Sequence, residues 1–165
     1  MEAPVFETRE ILDLAIRFEN NGEATYRKAM EVCADKGLRS LLEWMAGEEA
    51  LHARWFAQLK DGLEKGRRNP FLERMGRELF SDVVGGQSFS LKEVDFARVR
   101  TPRELVAIFI EFERDTVLFY EVIAPFVEEA GTRAQLEAII AEENKHIERL
   151  KECLESMAPA ERVVG

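Results

Sequence analysis

A chain of 165 residues has room for one domain with a substantial core, and its 23 basic residues against 32 acidic ones leave a net charge of -9. That balance repels phosphate backbones and anionic lipid surfaces, so neither nucleic acid nor a membrane is an expected partner. Cys33 and Cys153 are the only cysteines and form no Cys-x-x-Cys, so neither a disulfide framework nor an all-cysteine metal site can be built within one chain.

Glu, Leu, Ala, Arg and Lys dominate, and β-branched residues never alternate over a long stretch, which predicts an all-α fold spanning residues 1–165 as a single domain. Met1 to Glu10 lacks a basic stretch followed by an apolar run, and no segment reaches the roughly 18 apolar residues of a membrane span. With both cysteines on apolar helical faces, the expected location is reducing and cytoplasmic.

Four segments carry apolar residues at helical spacing. The first, about 8–34, holds Leu12, Ala15, Ile16, Phe18, Tyr26 and Met30, and the second, about 38–64, holds Leu41, Leu42, Met45, Trp55, Phe56 and Leu59. The connection over 65–100 contains Gly66, Asn69, Pro70, Gly85 and Gly86, with one short amphipathic helix expected near 71–80. Thr101, Pro102 and Glu104 form a capping box for the third helix, about 102–130, whose last turns Pro125 should kink. Gly131 breaks the chain, and Thr132 with Gln135 is expected to cap the fourth helix, about 132–157. Short breaks make each helix pair an antiparallel hairpin, and the long crossover lets the second and third helices run parallel.

A shift of 94 residues lays one hairpin on the other without a gap, carrying Glu19 onto Glu113, Tyr26 onto Tyr120, Glu49 onto Glu143 and His52 onto His146. Thirteen identities over residues 9–63 are few for a duplication, but several are polar residues at apolar positions. Glu19 shares a face with Leu12, Ala15, Ile16 and Tyr26, and Glu113 with Leu105, Phe109, Phe112 and Tyr120. Leu42, Met45, Glu49, His52 and Phe56 line up on the second helix, as Leu136, Ile139, Glu143, His146 and Leu150 do on the fourth. Four buried carboxylates repel one another and lose hydration, so they need cations or protons. Glu-x-x-His delivers an oxygen and a ring nitrogen to one small volume, and two such pairs facing two single glutamates make the ligand set of dinuclear carboxylate bundles. Glu48 and Glu142 point about 100° away round their helices and read as solvated residues.

These residues, Glu19 with Tyr26, Glu49-Ala-Leu-His52, Glu113 with Tyr120, and Glu143-Asn-Lys-His146, resemble the rubrerythrin family of the ferritin-like di-iron superfamily. The resemblance covers roughly residues 8–157. It implies a ferritin-like four-helix bundle in which Glu49 and Glu143 bridge two metals, Glu19 and Glu113 each cap one, and His52 and His146 supply one nitrogen apiece. Tyr26 and Tyr120 then lie within reach of ligand carboxylates as candidate catalytic residues, although ordinary core tyrosine is an equally good account of them. Two iron ions are the implied cofactor, with manganese or zinc as alternatives. No haem is expected, because Ala50 stands where bacterioferritins carry the haem-binding methionine.

The implied activity is reduction of hydrogen peroxide or dioxygen at a di-iron centre. Two cysteines cannot supply a rubredoxin-like iron domain, so electrons come from a separate carrier of that type. Thr116 stands where many rubrerythrins place a further ligand glutamate. The implied assembly is a homodimer. The alternatives are a ferroxidase or iron-handling protein, an oxygenase acting on an organic substrate, and a non-catalytic bundle stapled by metal.

Overall fold

A computed structural model describes residues 8–62, 96–127 and 129–157. Four long helices account for most of them: α1 (Thr8–Val32), α2 (Lys36–Asp61), α3 (Pro102–Ile123) and α4 (Ala130–Ser156), with a 3-10 turn over Ala124–Phe126. No strand occurs among the described residues. Most of the connection expected over 65–100, with its short helix at 71–80, lies outside them; Phe96 and Val99 at its end pack against the core.

The helix ends follow from local chemistry. Asp35 opens α2 by accepting from the Leu38 N–H at 2.8 Å, so the helix starts at Lys36, slightly earlier than the apolar pattern alone predicts. Thr101 caps α3 with an acceptor at 3.2 Å from the Glu104 N–H, and Pro102 fills the first turn. The Glu104 carboxylate accepts from the Arg100 N–H at 2.8 Å, one residue beyond the partner of a standard capping box. At Pro125 the α-helix stops at Ile123 and tightens into the 3-10 turn instead of kinking and continuing.

The start of α4 differs from expectation. Glu129 is its cap: its carboxylate accepts from the N–H groups of Gly131 and Thr132 at 2.9 and 2.6 Å. Gly131 and Thr132 therefore sit inside the first helical turn, because an anionic acceptor two residues earlier satisfies the free N–H groups there.

Two apolar clusters divide the interior. One joins Leu12, Leu14, Phe18, Phe56, Phe119, Tyr120, Leu136 and Ile139, and the other joins Tyr26, Leu38, Leu42, Met45, Leu105, Phe109, Ile147 and Leu150. The starts of α2 and α3 thus meet the ends of α1 and α4, which fixes antiparallel hairpins and a parallel α2 and α3. Edge-on rings, Phe18 on Phe119 and Tyr26 on Phe109, each with centroids 4.9 Å apart, tie α1 to α3. Cys33 and Cys153 are free thiols, half-buried against the second cluster and less covered than the core thiols expected. No helix among the described residues is long and apolar enough to cross a membrane.

Candidate metal centre

Between the two apolar clusters the buried stripes of all four helices turn polar. Glu19, Glu49, Glu113 and Glu143 are at most 1% exposed, and His52 and His146 are buried with them. The stripes are continuous: α2 buries Leu42, Met45, Glu49, His52 and Phe56, and α4 buries Leu136, Ile139, Glu143, His146 and Leu150. Helical periodicity, which would otherwise place aliphatic residues here, carries six ionisable groups into the middle of the core.

Their ligand atoms fall into two overlapping groups, Glu19, Glu49, His52 and Glu143, and Glu49, Glu113, Glu143 and His146, with the atoms of each group mutually within 4.8 Å. Glu49 and Glu143 belong to both. His52 Nδ1 lies 2.8 Å from Glu143 Oε1 and 3.5 Å from Glu19 Oε2. His146 Nδ1 lies 3.0 Å from Glu143 Oε2, 3.1 Å from Glu49 Oε1 and 3.5 Å from Glu113 Oε1. The two imidazoles face each other nearly parallel, centroids 6.3 Å apart.

Whether these residues suit metal can be judged from their unmet polar atoms. Glu19 Oε2, Glu49 Oε1, Glu113 Oε2, Glu143 Oε2 and His146 Nδ1 are buried without a hydrogen-bond partner. A native core seldom tolerates such atoms, and here five converge in one cluster. Several lie about 3 Å apart without hydrogen-bond alignment. Carboxylate oxygens and an imidazole nitrogen directed at a common volume are the donor set of first-row divalent metals. The cluster fits a dinuclear metal site.

Without cations, protons have to hold it together. Burial and the charges of Glu143, Glu19 and Glu113 push the Glu49 carboxyl well above the usual range, and burial with Glu19 and Glu113 does the same to Glu143. Glu19 is held below that range, burial notwithstanding, by the Glu49 and His52 side chains close against it. Burial disfavours a charged imidazole, but the carboxylates of Glu143 and Glu19 close against His52, and those of Glu113 and Glu143 close against His146, overcome it and raise both to about 11. The metal-free centre therefore holds imidazoliums beside carboxyl groups, with protons where cations would bring positive charge.

The tyrosines cross between hairpins. Tyr26 donates to Glu113 Oε1, and Tyr120 donates to Glu19 Oε1 at 2.5 Å. Each phenol thus holds the single glutamate of the opposite hairpin. Burial and the neighbouring carboxylates raise both phenols well above their ordinary range, which keeps them protonated donors.

Glu48 and Glu142, read from sequence as solvated residues, have a different place. Glu142 Oε2 meets His52 Nε2 at 2.6 Å, and Glu48 Oε2 meets His146 Nε2 at 3.1 Å. A carboxylate on Nε2 fixes each ring so that Nδ1 faces the site. The Glu142 side chain is 45% exposed and that of Glu48 26%, so the direction read from the helix was right, but a ring from the neighbouring helix reaches out to meet each. The signal that could have found them was present: both are identities under the 94-residue shift. Trp44 is a further unanticipated neighbour, its ring edge-on to His146 at 5.1 Å.

The family model described as Rubrerythrin matches residues 10–154. A crystal structure from Thermotoga maritima, assigned as a ferritin-like diiron-carboxylate protein, aligns with a TM-score of 0.68 at 20% identity, covering 94% of this chain and 99% of that one. At that identity the likeness carries the fold, a ferritin-like bundle. No curated protein matches the sequence.

Proposed function

The chain belongs to the rubrerythrin family, and from that premise we propose that it is a di-iron oxidoreductase that reduces hydrogen peroxide or dioxygen with electrons from a separate donor protein. The observation that carries the reading is the pair of four-residue groups sharing Glu49 and Glu143. In this reading Glu49 and Glu143 would serve both ions, Glu19 and His52 would help hold one, and Glu113 and His146 would help hold the other.

Iron bound there supplies a two-electron change between its diferrous and diferric forms. The chain's own residues do the rest. Four carboxylates balance the charge of two divalent ions in a buried volume where one unpaired charge would be prohibitive. Glu142 and Glu48 accept from His52 and His146 at Nε2, leaving each Nδ1 lone pair free to bind once its proton departs. Tyr120 and Tyr26 hold one oxygen of Glu19 and of Glu113 and leave Oε2 of each buried without a hydrogen-bond partner. The aromatic and aliphatic clusters on both sides keep bulk water out.

The test is metal analysis of anaerobically purified protein, followed by spectra during peroxide or dioxygen addition. Two irons per chain, and oxidation by peroxide far faster than that of dissolved ferrous ion, are the expected results. Near-absence of bound metal, or metal content unchanged by replacing His52 and His146 with Ala, contradicts the reading.

A second reading, ferroxidase or iron handling, draws on the outer group of Glu48, His52 and Glu142, which extends the donor set toward the surface. A hollow shell on a sizing column, or an accumulated iron core, favours it. A dimer without a core, matching the homodimer we propose, favours peroxide chemistry.

A further inference from the structure

Glycine is a poor residue for a helix interior, yet Gly22 lies in the middle of α1, three residues after Glu19 and on the same face. A Cβ on Gly22 would lie 3.3 Å from Glu49 Oε2 and 3.3 Å from Phe112 Cε1. That is closer than ordinary contact, so the bare backbone leaves space beside one oxygen of a shared carboxylate.

The 94-residue shift places Thr116 at the matching position in the other hairpin. Thr116 is 2% exposed and donates through Oγ1 to the Phe112 carbonyl at 3.1 Å. One hairpin thus has no side chain where its twin has a branched one. The two shared carboxylates also differ in what holds them. Glu143 meets both imidazoles, His52 Nδ1 at 2.8 Å through Oε1 and His146 Nδ1 at 3.0 Å through Oε2. Of the two imidazoles Glu49 meets only that of His146, at 3.1 Å from Nδ1 through Oε1. Its other oxygen is the one beside Gly22.

We infer that Gly22 is a positioning residue: it leaves Glu49, and not Glu143, the room to change how it holds the metals. The inference rests on the dinuclear reading of the site. Because Gly22 shares its face with Glu19, the oxygen it frees serves the ion of Glu19 and His52, and a side chain at position 22 should disturb that ion first.

The test titrates metal-free protein with Co(II) under anaerobic conditions, with heat and visible absorption as readouts, in the parent, in Gly22→Ala and in Gly22→Ala/Phe112→Leu. The parent should take two ions. Gly22→Ala should bind one ion as the parent does and the other about tenfold or more weakly, the loss expected when a ligand's support is disturbed. Metal-free Gly22→Ala should melt no lower than the parent, since alanine favours the helix. The double variant, with the ring contact relieved, should keep the weakened ion.

A parent that binds fewer than two ions overturns the dinuclear reading and the inference with it. A parent that binds two while Gly22→Ala binds both equally well overturns the inference alone. A metal-free Gly22→Ala that melts clearly lower, or a double variant that regains the weakened ion, also overturns it, by assigning Gly22 to packing against Phe112.

Discussion

Hairpin α1–α2 contributes Glu19, Glu49 and His52, and hairpin α3–α4 contributes Glu113, Glu143 and His146, but the surroundings of the two trios diverge one residue outward. His52 is held at Nε2 by Glu142 at 2.6 Å, while His146 meets Glu48 at 3.1 Å and has the Trp44 ring against it. Glu143 bridges both imidazoles and Glu49 touches one. Repetition of the six donors therefore does not make the two candidate metal positions equivalent. Chemistry needs the six donors alike, whereas packing shapes each half separately.

The largest expected effect concerns the shared carboxylates. Glu143→Ala should remove both ions and Glu19→Ala only one, measured as metal per chain; equal losses would break the division into shared and single ligands. Next in size is the pH response of the metal-free protein. His52 and His146 have folded-state values of about 11 against an ordinary 6.5, so the folded state binds more protons between those limits. Their stabilisation is complete below about 6.5 and is lost as pH rises toward 11, so the melting temperature should fall across that window. Glu49 and Glu143, raised in the same sense, start the decline from the ordinary carboxylate range. Loading with a divalent metal should flatten the curve and release protons, measurable as acidification of a weakly buffered sample.

A smaller effect is expected at the phenols. Tyr120→Phe and Tyr26→Phe each leave a buried carboxylate oxygen without its donor, at about 2 kcal/mol of metal-free stability by denaturant titration. The smallest should come from the outer carboxylates: Glu142→Gln should weaken metal binding by about tenfold, and Glu48→Gln by less, given its longer contact with His146. An equal response would narrow the difference between the halves.

The bundle and the buried cluster of Glu and His were legible in sequence because both are written in helical periodicity. An apolar stripe interrupted by Glu and His at i and i+3 is visible without knowing what faces it. Partnerships across helices were not legible. The sequence predicts that Tyr26 points inward, but its bond goes to Glu113, 87 residues away, and not to the glutamate of its own helix. Glu142 projects toward solvent, and only the placement of α2 beside α4 brings His52 to it. The cap of α4 was misplaced because Thr132 and Gln135 imitate a capping box, while Glu129 offers a stronger acceptor two residues before Gly131.

Every one of these long-range bonds runs from one hairpin to the other: Tyr26 to Glu113, Tyr120 to Glu19, His52 to Glu142 and Glu143, His146 to Glu48. A chain of half this length, folded as a lone hairpin, could complete none of them and would have to meet a copy of itself around a two-fold axis. The continuous chain has that encounter built in, and its continuity is what lets one half keep Gly22 while the other keeps Thr116. In a pair of identical halves any change at that position appears twice; in one continuous chain it appears once.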